Sequence, residues 1–336
     1  MTLVDQIARA VLYEGYILYP YRPSVKNQQR WTFGGIYPRR FSEAQASSDA
    51  WVMQAQCLIR AEDTAAISLA VRFLHLTMRS IEMPDGDGFH IVQSLESDGR
   101  TYQSWQEAVE RQIELSPTAL SDLVSHPHRE SFVFPHRRTI EPIAGSNARL
   151  VREQHQIEGT IEWSGDQVAE SVYRITARVM NDTSFDCRDR DTAVLHSFAS
   201  THMIINSETG GLISLTDPPA ELKPLAETCQ NIGCWPILVG EAGSTNTILA
   251  SPIILSDYPQ IAPESPGDLF DSSEIDEILT LRILTLTDEE KRQASAVDPM
   301  AADLMKRTEA LAREQLMNLH GAVRSLRPIS DGSDHV

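Results

Sequence analysis

The stretch IEGTIEWSGDQVAESVYRITARVMN, residues 157–181, decides the fold class. In its second half Tyr173, Ile175, Ala177 and Val179 alternate with Arg174, Thr176 and Arg178. That period of two puts one face of a strand on a core and the other in water. Ile157, Ile161 and Trp163 mark the partner strand, and Ser164-Gly165-Asp166 is the expected turn of an antiparallel hairpin. Working outward, Trp51–Ile59 alternates with Gln54 and Gln56 opposing apolar odd positions. Ile67, Leu69, Val71 and Phe73 repeat the pattern, which then changes phase at Leu74, Leu76 and Met78 and predicts a bulge. Further strands are expected over 193–206, 211–215, 236–240 and 248–255.

Helices are expected at both ends. Val4, Ile7, Ala8 and Val11 form one apolar stripe, with Thr2 and Asp5 as caps and Gly15 as the stop. Glu274–Leu286 and a long final helix from Asp298-Pro299 to about Leu326 carry the same spacing. Residues 84–100, rich in Asp, Gly and Ser, read as a loop. Ser104 and Glu107 have capping-box spacing before a short helix or a turn leading into a strand. The expected class is α+β: an antiparallel sheet or sandwich with an N-terminal helix and C-terminal helices. Residues 1–270 form the mainly β core, 271–326 a helical segment packed on it, and 327–336 a frayed tail.

Composition narrows the function. The chain has 336 residues and a formal net charge of −18, which opposes nucleic-acid binding through phosphate neutralisation. No apolar run reaches the roughly 18 residues of a membrane span. Asp5 and Arg9 interrupt any signal-peptide core, so a cytoplasmic location is expected. Four cysteines are too few for a disulfide framework. Charge is uneven: residues 257–277 carry Asp257, Glu264, Asp268 and Asp271 with no Lys or Arg, whereas residues 1–60 are net basic.

No catalytic motif is present: there is no nucleophile elbow, dinucleotide fingerprint or P-loop. An enzyme is the less favoured reading. Cys229 and Cys234 have C-x4-C spacing, and with His202 they are the candidate ligands for zinc, nickel or iron. They equally suit half-buried thiols in a turn, and no cofactor is firmly predicted. His126-Pro127-His128 to His136 reads as a surface loop rather than a ligand set. The block Glu14–Gly35 concentrates Tyr19, Arg22, Lys26, Asn27, Arg30 and Trp31, residue types enriched at binding hot spots. With Asp257 and Glu264 these are the candidate partner-binding residues. An internal clasp between the basic block and the acidic loop is the bland alternative.

Three blocks, Glu14–Gly35, Ser200–Pro219 and Ser251–Asp271, resemble an uncharacterised bacterial family associated with gene neighbourhoods of nickel–iron hydrogenases and their maturation factors. The resemblance implies an accessory or assembly protein whose protein partner is a hydrogenase subunit or maturation factor. The alternative is a metal-dependent enzyme or metallochaperone using the Cys/His set.

Overall fold

Period-two alternation builds two antiparallel sheets that face each other across one core. The computed structural model describes residues 2–13, 34–45, 49–186, 189–260 and Lys306. The first sheet has five strands in the order β13 (Gly211–Ile213), β1 (Val52–Arg60), β11 (Val172–Asn181), β10 (Ile157–Ala169) and β7 (His128–Phe134). The second runs β14 (Trp235–Leu238), β15 (Thr247–Ser251), β12 (Ala199–Ser207), β2 (Ala66–Asp85), β9 (Arg149–Gln154) and β8 (Arg137–Pro142). Strands β3 (Gly88–Val92) and β6 (Trp105–Ala119) also pair with β2, and β4 (Ser94–Ser97) pairs with β5 (Arg100–Gln103).

The apolar alternation meets in the middle. Met53, Ala55, Cys57 and Ile59 of β1 and Tyr173, Ile175, Ala177 and Val179 of β11 pack with Ile67, Leu69, Val71 and Phe73 of β2 and Met203 and Ile205 of β12. Each large side chain buried this way contributes about 1.5–3 kcal/mol. Helix α1 (Leu3–Tyr13) covers the outer face of the second sheet, where Ile7, Ala8 and Val11 pack with Ile237, Val239 and Leu249. Thr2 and Asp5 cap it reciprocally: the Asp5 amide donates to Thr2 Oγ1 (3.1 Å) and the Thr2 amide to Asp5 Oδ2 (3.0 Å). Short helices α2 (Arg39–Ala44), α3 (Leu120–Ser125), α4 (Arg190–Ala193) and α5 (Lys223–Ala226) sit in connections, with a 3₁₀ turn at Val194–His196.

Several expectations are corrected. Ser164-Gly165-Asp166 is not the hairpin turn: β10 continues to Ala169, with Gly165 opposite Ile175, and the chain reverses at Glu170–Ser171, where Ser171 has φ 53°. Gly165 is where α3 lies against the strand, and a Cβ there would sit 3.4 Å from Leu123 Cβ. The phase change after Phe73 is not a bulge in β2, whose register with β6 runs unbroken from Leu69–Leu115 to Arg79–Trp105. The extra residue lies on β12, between Ala199 and His202, where Ser200 has φ 54°. Leu74, Leu76 and Phe73 are all buried because both faces of β2 are covered there.

Of the two readings of the Ser104–Glu107 box, a helix start is wrong and a lead into a strand is right, since 105–119 is a strand; Ser104 Oγ donates to the Val92 carbonyl (2.6 Å) and accepts from the Ile81 amide (3.0 Å). Residues 84–100 are largely strand as well, 128–134 is a strand where a surface loop was expected, and 137–142 is a further strand. The predicted C-terminal helices and tail lie outside the described residues, apart from Lys306. No helix among the described residues is long and apolar enough to cross a membrane.

Candidate metal centre

Strands β8 and β9 pair from Pro142–Arg149 to Arg137–Gln154 around a turn in which Gly145 has φ 75°. One step beyond the last pair, the register sets His136 opposite His155. Glu153, two residues before His155, lies on the same face of the strand. The three side chains converge: one ligand atom from each of His136, Glu153 and His155 lies within 4.8 Å of the others. His136 Nε2 is 3.8 Å from Glu153 Oε1, and the two imidazole centroids are 6.1 Å apart. Ligands around one zinc-like ion stand roughly 3.3 Å apart, given bonds near 2.0–2.1 Å, so a small rotamer closure assembles the set.

The rest of the molecule fixes the inner histidine. The His155 ring stacks on His196 at 4.6 Å, and Phe185 stacks on the other side of His196 at 3.8 Å. His75 Nε2 is 2.9 Å from the His155 carbonyl oxygen. Asn181 Nδ2 donates to the His196 carbonyl (2.9 Å) and to that of Ile36 (2.8 Å), anchoring the 3₁₀ turn to the core. Burial pushes the pKa of both His75 and His196 down to about 4, which keeps these flanking rings neutral at physiological pH. By contrast the side chains of His136 and Glu153 are 49% and 40% exposed. Two imidazoles and one carboxylate, open on one side, suit a borderline divalent ion with coordination positions left for water or a further ligand.

The sequence-predicted ligands are not assembled this way. Among the described residues, His136, Glu153 and His155 are the group of three or more His, Cys, Asp or Glu side chains that converges; Cys229, Cys234 and His202 do not. His202 is fully buried on β12, with Nδ1 3.2 Å from the Ser200 carbonyl oxygen. Cys234 is buried and its Sγ lies 3.1 Å from the Gln54 carbonyl oxygen. Burial pushes the Cys234 thiol up to about 12 and raises Cys229 as well. Thiols held protonated in this way are poor metal ligands.

Asp257, read as partner-binding, is engaged inside the fold. Its Oδ2 accepts from Ser214 Oγ (2.5 Å) and Thr216 Oγ1 (2.7 Å), and its Oδ1 from the Leu238 amide (2.8 Å). The described parts of the three blocks meet: Thr201 N donates to the Gly34 carbonyl (3.1 Å) and Gly34 abuts Pro252, while just outside the blocks Ile36 and Phe198 exchange backbone bonds. Tyr19, Arg22, Lys26, Asn27, Arg30, Trp31 and Glu264 lie outside the described residues.

The signal for the actual cluster was present. Ala144-Gly145-Ser146-Asn147 is a turn sequence, and positions symmetric about it include His136 and His155. The prolines at 127 and 135 hid it by making the preceding stretch look like a loop. No protein-family model and no curated protein matches the chain.

Proposed function

We propose that this is an accessory or assembly protein that binds a divalent first-row metal ion through His136, Glu153 and His155. Convergence of these three side chains carries the reading. The hairpin register sets the two histidines, stacking on His196 orients one of them, and the half-exposed carboxylate supplies charge compensation. Zinc, nickel and iron are among the ions that two imidazoles and a carboxylate suit. The likeness of the three sequence blocks to a hydrogenase-associated family supports a nickel–iron hydrogenase subunit or maturation factor as the client.

A metallochaperone is the second reading, favoured by the exposure of His136 and Glu153. An ion held by three ligands at the surface can be taken over by ligands entering from solvent. Purification of the tagged chain from its native host tests the client: hydrogenase subunits or maturation factors should co-purify, and recovery of neither counts against it. Rapid transfer of the bound ion to an apo client, faster than its release to a chelator, would select the chaperone.

A further inference from the structure

We infer that Arg111 and Arg137 form a binding site for a small oxyanion or carboxylate, flanking Gln154 on the ribbon that also carries the metal centre. The ribbon of β2, β6, β8 and β9 is rich in arginines, and most are neutralised. Arg79 pairs with Glu107 (2.8 Å), Arg152 with Glu107 (2.8 Å) and Glu141 (2.9 Å), and Arg149 and Arg138 with Glu82 (2.6 and 3.5 Å). Among the described residues Arg111 and Arg137 have no such carboxylate.

Both are brought to one place by pairing. Arg137 is directly opposite Gln154 in the β8–β9 register, which sets their Cβ atoms roughly 5 Å apart. Arg111 Nη2 donates to Gln154 Oε1 (2.8 Å), and its guanidinium lies 4.4 Å from the centroid of the Phe134 ring. Gln154 is itself buried and fixed, its Nε2 donating to Thr77 Oγ1 (2.9 Å). Arg111 Nε is enclosed without a partner and out of reach of solvent, so a ligand meets the terminal nitrogens of this guanidinium, one of which also donates to Gln154. Burial lowers the Arg111 pKa, and the nearby Arg137 charge lowers it further. Two adjacent guanidiniums without a carboxylate among the described residues, in a chain of net charge −18, are the arrangement that an anion with two oxygens completes, one oxygen facing the terminal nitrogens of Arg111 and the other the exposed Arg137.

The inference does not depend on the metal reading, and its test uses metal-free protein. The full chain, stripped over a chelating resin, is titrated with inorganic phosphate and separately with succinate, against sodium chloride at matched ionic strength. Melting temperature and the Gln154 side-chain amide resonances are followed. Saturation by either anion at low millimolar concentration is expected, weakened at least about tenfold by R137Q or R111Q. R149Q, whose guanidinium is paired with Glu82, should leave it unchanged. R137Q alone suffices if R111Q fails to fold, since Arg137 is exposed. Saturation by neither anion below about 10 mM, or saturation unaltered in R137Q, overturns the site.

Discussion

His136 and His155 stand opposite each other one step past the last paired residues of β8 and β9, with ring centroids 6.1 Å apart. Their meeting is a consequence of hairpin register. A one-residue slip would turn one ring to the other face. The chemistry proposed for the protein therefore rests on the same pairing that builds its sheet.

Gly34 and Gly86 share a left-handed backbone, with φ 59° and 57°, but only Gly34 is crowded: a Cβ would lie 2.3 Å from Pro252 Cβ. Gly86→Ala is expected to cost about 1 kcal/mol from backbone strain alone. Gly34→Ala should cost about 1–3 kcal/mol more. Urea unfolding of both variants measures the difference, and equal losses would show that the Pro252 contact yields freely.

Asp257 joins the Ser214–Thr216 turn to β14 through three accepted hydrogen bonds. Asp257→Ala leaves the Leu238 amide and two hydroxyls without that acceptor. A loss of about 2–3 kcal/mol is expected, read as a lower urea midpoint. A loss below about 0.5 kcal/mol, the size of an ordinary surface substitution, would return Asp257 to the list of free surface carboxylates.

Stability should fall in mild acid. Burial holds the pKa of His202, like those of His75 and His196, down to about 4, whereas an unfolded histidine titrates near 6.5. Between those values the unfolded chain binds more protons than the folded one. Stability is therefore complete above about pH 6.5 and is lost as pH falls through about 4. His202 alone accounts for roughly 3 kcal/mol of that loss. Denaturation at a series of pH values should show a shallower fall in His202→Gln than in the parent; parallel curves would mean that His202 is not held neutral.

Cys57 and Cys234 are buried thiols with raised pKa values, Cys57 chiefly through burial and then through the neighbouring Cys229 and Cys234. Alkylation of the native chain at pH 8, mapped by peptide mass, should leave both unmodified, while both react in urea. Fast native modification of either would point to the open, activated thiols that a Cys-based metal site requires.

Strands with clean alternation were legible: 51–59, 172–181 and the first half of β2 each bury one face on the core. Where both faces are covered, as beyond Phe73, periodicity vanishes and the phase change mimics a bulge. Strand β6 was obscured because its edge carries Glu107, Glu110, Arg111, Gln112 and Glu114, whose polar character resembles a helix surface. The candidate metal ligands His136, Glu153 and His155 were missed for a different reason. Cysteine spacing draws attention because it is local, whereas His136 and His155 are 19 positions apart and become neighbours only through the β8–β9 turn.

The most direct test is zinc and nickel titration of the metal-free full chain by calorimetry, with His136→Ala, His155→Ala and the double variant Cys229→Ser/Cys234→Ser alongside. One equivalent should bind, each histidine variant should weaken it by about a hundredfold, and the cysteine variant should bind as the parent does. Binding that survives both histidine variants, or that disappears with the cysteines, would contradict the assignment.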